Sequence, residues 1–130
     1  GSKLSAYNFN SGALKSALKA KPTTRARQAA QLQATFTISE NPIASAGKKV
    51  VYMQIQGPSG KTFQRMSSYL METEDGSVAY TEKKEIDYQN KAIDISIYYD
   101  IREENLSKGN YKVNIYCDEN LIGSDSFTLK

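Results

Sequence analysis

A chain of 130 residues has room for one domain with a core of its own. It holds no His and a single Cys, Cys117, which excludes His-dependent acid–base catalysis, Ser-His and Cys-His nucleophile pairs, nearly every zinc-site pattern and any internal disulfide. The net charge of +3 is uneven: residues 1–39 carry Lys3, Lys15, Lys19, Lys21, Arg25 and Arg27 and no acid, whereas the remainder carries the other bases and all 14 acids. A basic arm therefore precedes a mildly acidic body.

Nine Tyr and four Phe favour strands over helices. No apolar run is long enough to cross a bilayer, and no signal-peptide pattern is present. The lone Cys fits a reducing compartment and equally a bacterial extracytoplasmic domain. Gly1-Ser2 reads as a remnant of tag removal, so a longer parent chain is expected.

Residues 1–29 read as that remnant followed by a basic lead-in. Within it, Ser11 to Ala20 has the marks of a short helix, with Ser11 as cap, Leu14 and Leu18 on one face and Lys21-Pro22 as the stop. The alternation of Leu4, Ala6 and Asn8 with Ser5, Tyr7 and Phe9 fits an edge strand equally well. From Gln31 the period is two: Leu32, Ala34, Phe36 and Ile38 form the apolar side of a half-buried strand. Glu40 to Gly47 is a loop, and Val50 to Gln56 the next strand, with Val51, Met53 and Ile55 on one face. Gly57-Pro-Ser-Gly60 is a turn.

Thr62 to Thr73 is read as a strand that feeds a tight turn at Glu74-Asp75-Gly76 and returns through Val78 to Thr81. The clearest alternation is Ile93, Ile95, Ile97, Tyr99 and Ile101 against Ala92, Asp94, Ser96, Tyr98 and Asp100, one face apolar and the other wet. Tyr111, Val113, Ile115 and Cys117 then face inward, and Phe127 and Leu129 close the chain after a turn at Asp118-Glu-Asn. About seven short strands without a long helix predict an all-β, immunoglobulin-like antiparallel β-sandwich over residues 30–130.

Several stretches invite a chemical reading. Gly57-Pro-Ser-Gly60-Lys61-Thr62 ends like a phosphate-binding loop, but the first Gly that such a loop needs is replaced by Ile55. Glu72-Thr-Glu74-Asp75-Gly76 resembles part of a calcium loop with Met71 where an acid is required. Asp94, Asp100, Glu103 and Glu104 are solvated charge rather than a facing carboxylate pair. Cys117 has the parity of a buried, inert thiol. No catalytic residue, metal ligand or cofactor is expected. Tyr52, Tyr88 and Tyr98 are candidates for a recognition surface, since aromatics on a sheet face stack on sugars or anchor partners. Lys15, Lys19, Lys21, Arg25 and Arg27 are candidates for contact with an anionic partner.

A family resemblance spans most of the chain. Thr24-Arg-Ala-Arg27, Phe36-Thr-Ile-Ser-Glu-Asn41, Ala46-Gly-Lys-Lys-Val-Val-Tyr52, Gly57-Pro-Ser-Gly60, Lys108-Gly-Asn-Tyr111, Leu121-Ile-Gly123 and Phe127-Thr-Leu129-Lys130 occur in order. They resemble the C-terminal domain of small membrane-anchored coiled-coil proteins from Bacteroidetes, some of which carry a chromosome-partitioning label. The resemblance implies an upstream membrane helix, homo-oligomerisation through an upstream coiled coil, and display on the periplasmic side of the inner membrane. It offers no catalytic residue to carry over.

Sequence and resemblance together lead to one expectation, a non-catalytic interaction or structural module of a cell-envelope protein, with a protein or a glycan as partner. One alternative is a carbohydrate-binding module using Tyr52, Tyr88 and Tyr98. Another is nucleic-acid or anionic-surface binding through the basic arm, which lacks the interleaved aromatics and recognised fold of a nucleic-acid binder.

Overall fold

Alternating apolar residues can be buried only if a second sheet covers them, and that is how the chain solves the problem. The computed structural model describes residues 3–16 and 18–130; Gly1-Ser2, with its reading as a remnant, lies outside them. The described residues form ten strands: β1 (Ala6–Leu14), β2 (Pro22–Thr23), β3 (Gln31–Ile38), β4 (Gly47–Gln56), β5 (Leu70–Thr73), β6 (Gly76–Ala79), β7 (Glu82–Tyr88), β8 (Ile93–Asp100), β9 (Gly109–Cys117) and β10 (Asn120–Leu129). One four-stranded sheet has the order β2-β1-β3-β8, a second the order β10-β9-β4-β7, and β5-β6 is a separate hairpin. Every pairing is antiparallel.

The inward residues of the two larger sheets meet as one core. Leu32, Ala34, Phe36, Ile38, Ile95, Ile97 and Tyr99 come from one side, and Val51, Met53, Ile55, Tyr111, Val113, Ile115 and Cys117 from the other. Each large apolar side chain so buried contributes roughly 1.5–3 kcal/mol. The fold is the expected immunoglobulin-like sandwich, with ten strands in place of about seven. At its corner the Tyr111 hydroxyl donates to the Ser107 carbonyl at 2.5 Å, the tyrosine-corner bond of this architecture.

Three expectations are corrected. Ser11 to Leu14, expected to open a helix, is strand: β1 runs through to Leu14, pairing with β3 from Ala6↔Ile38 to Leu14↔Gln31, and Ala17 of the expected helix lies outside the described residues. A helix of that length gains little alone, whereas the edge of β3 offers a ready ladder. Leu14 is buried, and Leu18, its supposed partner, is 96% exposed. The break expected at residue 30 consequently falls inside a sheet, with β1 and β2 on one side of it and β3 on the other. Thr62 to Thr73 is strand only from Leu70; before that, Thr62 bridges Gln56 and the Phe63 N–H donates to the Ile55 carbonyl at 2.9 Å, tying an irregular segment to the end of β4.

Candidate functional site

The predicted tyrosine surface is not assembled. Tyr88 is fully buried, its hydroxyl donating to the Ser39 carbonyl at 2.9 Å, because β7 gives it the inward parity of Ile86. Tyr52 and Tyr98 face outward, but from different sheets of the sandwich. Tyr52 is covered as well: its ring meets Tyr80 edge-on at 5.0 Å, and Tyr69 stacks on Tyr80 at 5.0 Å. Tyr98 alone of the three is broadly exposed.

Tyr52 is covered because the segment between β4 and β7 folds back over the outer face of that sheet. Beneath it, a row of polar side chains crosses three strands. Ser124 Oγ donates to Asn114 Oδ1 at 2.8 Å, Asn114 Nδ2 to Gln54 Oε1 at 3.0 Å, and Gln54 Nε2 to the Ala79 carbonyl of β6 at 2.9 Å. Gln54 and Asn114 are buried, so these bonds satisfy groups that would otherwise carry a desolvation cost. Met71 is buried there too, outside the main core.

Arg65 anchors the same segment at the end of β8. Its guanidinium lies 4.3 Å from the centre of the Tyr99 ring, donates to the Asp100 carbonyl at 2.6 Å and stands 3.8 Å from Glu104. The Tyr99 hydroxyl donates to Glu104, and the Arg102 N–H donates to the other carboxylate oxygen at 2.9 Å. Burial acts to raise the Glu104 carboxyl, but the Tyr99 hydroxyl, the backbone N–H groups and Arg65 together outweigh it and hold it below the usual carboxylate range. Burial, then the Glu104 contact, push the Tyr99 phenol up. Nearby, burial raises Glu82 against the opposing pull of Arg65. These groups satisfy one another, and the arrangement is a latch for the crossing segment.

The other motifs resolve as structure. Around Gly57 to Thr62 the amides are taken by the chain itself: Gly57 N–H donates to the Lys61 carbonyl at 3.0 Å and Gly60 N–H to the Gly57 carbonyl at 2.9 Å, so no cradle of free amides faces a phosphate. Glu72 to Gly76 is the closed end of the β5–β6 hairpin, turning at Glu74-Asp75, with Gly76 at φ +106°. Asp94 accepts from Thr37 Oγ1 at 2.7 Å and Asp100 from Gln31 Nε2 at 2.6 Å, each a cross-strand pair between β3 and β8. Cys117 is buried, and burial first, then Asp118, push its thiol up to about 11. Among the described residues no group of three or more His, Cys, Asp or Glu is placed to hold a metal, and no helix is long and apolar enough to cross a membrane.

The basic residues are less scattered than the sequence suggests. Arg25 and Arg27 flank Ala26, which opens a single 3-10 turn, Ala26–Gln28, docked on the end of β10: the Lys130 N–H donates to the Thr24 carbonyl at 2.7 Å and the Ala26 N–H to the Lys130 carbonyl at 2.9 Å. That docking brings Arg25 and Arg27 together with Lys108 and Lys130 around one depression of about 510 Å³, with no Asp or Glu in its lining. All four are exposed, and among the described residues none of them makes an ion pair. Lys15, Lys19 and Lys21 are exposed around the preceding turn and do not line it. Lys108 and Lys130 were missed because only topology brings them to Arg27; nothing near them in sequence signals it.

Beside this depression a cleft of about 460 Å³ runs between β1 and β10, lined among others by Ser11, Gly12, Arg25, Phe127 and Leu129. Ser11 Oγ is buried without a hydrogen-bond partner among the described residues.

No curated protein matches this chain. Among solved structures, it is similar to part of the Pseudomonas fluorescens alkylpurine DNA glycosylase AlkC bound to DNA containing an abasic site analog, with a TM-score of 0.53 and 14% identity over 100% of this chain and 31% of that one. It is also similar to part of a Kluyveromyces marxianus β-glucosidase, with a TM-score of 0.53 and 10% identity over 99% of this chain and 14% of that one. The chain thus spans a third or less of each, and at such identities the likeness is one of fold alone. The model of the domain of unknown function DUF8428 matches residues 6–130, taking in β1 through β10, and the chain belongs to that family.

Proposed function

We propose that the chain is a non-catalytic interaction module of a cell-envelope protein, and that it meets an anionic protein partner at the Arg25–Arg27–Lys108–Lys130 surface. One observation carries this reading: four exposed cationic side chains from three separate parts of the chain converge on one depression that has no Asp or Glu side chain in its lining. Like charges so gathered repel one another and are relieved when an anion arrives. The resemblance to membrane-anchored coiled-coil proteins supports the envelope, on the periplasmic side, as the setting.

A photo-crosslinking residue at position 27, in cells expressing the natural protein, tests the site. Protein adducts are expected there and not at position 98 on the uncovered face of the other sheet. Adducts at 98 with none at 27 would overturn the assignment. Fractionation tests the setting: the protein should sediment with envelope membranes, and recovery in the detergent-free soluble fraction would remove it from the envelope.

A further inference from the structure

The cleft between β1 and β10 has two pinned ends and an open middle. At one end the backbones nearly touch: a Cβ on Gly123 would stand 2.8 Å from the Phe9 ring and 2.9 Å from the Ala6 carbonyl oxygen, so that approach requires glycine. At the other, Thr24 and Ala26 bond to Lys130, while Thr23 pairs with Ala13 of β1. The two strands therefore run in the same direction. Between the pins, from Ser124 to Thr128, the described backbone bonds of β10 go to β9 and none goes to β1.

Five residues of strand offer about 17 Å of unpaired edge. Such an edge is a template for strand addition, and natural sheets blunt theirs with Pro, Lys or an inward charge. Here Asp125, which shares the inward parity of Val113, is the one such device between Ser124 and Thr128. Gly12 leaves open space where a side chain would stand, and Ser11 Oγ lies in the lining without a partner.

We propose that this cleft takes an extended strand from a partner protein, antiparallel to β10, with acidic residues at its N-terminal side lying against Arg25, Arg27, Lys108 and Lys130. This rests on the reading of that surface as an interaction site and names its occupant. Because β1 and β10 run together, one inserted strand is antiparallel to both. Main-chain bonds then supply affinity and the basic end supplies direction. Phe127 is the one aromatic of the lining and has a face covered by Tyr111 at 5.2 Å, which leaves a poor platform for stacked bases.

The test uses a fluorescein-labelled, acetylated peptide of four acids followed by alternating Thr and Val, a second peptide with the acids at the other end, polyglutamate, and duplex DNA. The acid-first peptide should bind, shift the amide NMR signals of Ser124 to Thr128, and bind at least about tenfold more tightly than the reversed one. Gly12→Trp, which fills the open space, should abolish binding with the protein still folded, and Arg27→Glu should weaken it by about tenfold at low salt and by less at high salt. Equal binding of the reversed peptide, polyglutamate or DNA, or an unaffected Gly12→Trp, overturns strand addition while leaving the basic surface as a contact site. Absence of peptide binding alongside adducts at position 27 does the same. Absence of those adducts removes the surface reading as well.

Discussion

Over the outer face of the β10-β9-β4-β7 sheet the chain provides its own cover, and along the β1–β10 side it provides none. Under the β5–β6 hairpin, Gln54, Asn114 and Ser124 are joined in a row, Tyr52 lies against Tyr80, and Arg65 holds the crossing segment to Tyr99 and Asp100. On the open side, four cationic side chains line a depression without an Asp or Glu among them, and Ser11 Oγ has no partner among the described residues. Polar groups that satisfy one another are the interior of a fold. Polar groups left over on one side, next to an unpaired edge, are where the proposed partner would be met. The tyrosines, more conspicuous in sequence, belong mostly to the first kind.

Substitutions can break this contrast or sharpen it. The largest effect is expected from Met71→Ala under the hairpin, a loss of about 2–5 kcal/mol in a urea titration; a neutral result would mean that the hairpin does not pack on the sheet. Asn114→Ala leaves the Gln54 amide and Ser124 hydroxyl short of a partner and should cost about 1–3 kcal/mol, measured in the same way. Glu104→Gln should lower stability near neutral pH, with a gap to the parent that closes in acid. The sign follows from the folded carboxyl sitting below its usual value: its stabilisation is present above the unfolded value of about 4.5 and is lost as pH falls through the folded one. Thermal melts at pH 7 and pH 3 check this, and a constant gap would sink the latch. On the open side, Arg25→Ala and Arg27→Ala should stay within about 0.5 kcal/mol of the parent, as suits groups with no partner to lose. Cys117, buried and with its thiol pushed up to about 11, should resist a thiol reagent at neutral pH until the protein unfolds.

The layers of the sandwich were legible because a half-buried strand writes its burial into every second residue. Leu32 to Ile38, Val51 to Ile55, Ile93 to Tyr99 and Tyr111 to Cys117 all face as their alternation requires. The first thirty residues were not. Leu14 and Leu18 share a helical spacing by coincidence, and strand pairing with a distant segment decides the matter. Tyr88 was a candidate for the recognition surface, although Ile86 two places before it carried the inward parity. The candidate site was half legible. Arg25 and Arg27 stood out in an acid-free stretch, but their companions Lys108 and Lys130 arrive through the docking of Thr24 and Ala26 on Lys130, just past the end of β10. The cleft itself lies between strands that are distant in sequence, and no local pattern announces such a gap.

The bonds from Lys130 to Thr24 and Ala26 also bear on how the domain assembles. The β9–β10 hairpin turns through Asp118 and Glu119, both at positive φ, and closes with Cys117 opposite Asn120. Hairpins of this kind form in about 1–10 μs, whereas a contact between opposite ends of the chain carries a far larger loop-closure entropy. The far pin of the cleft is thus expected to form last and, being few bonds at an exposed margin, to open first. Amide hydrogen exchange should find Lys130 and Ala26 among the fastest of the bonded amides. A strand entering from that end would not have to wait for the sandwich to unfold.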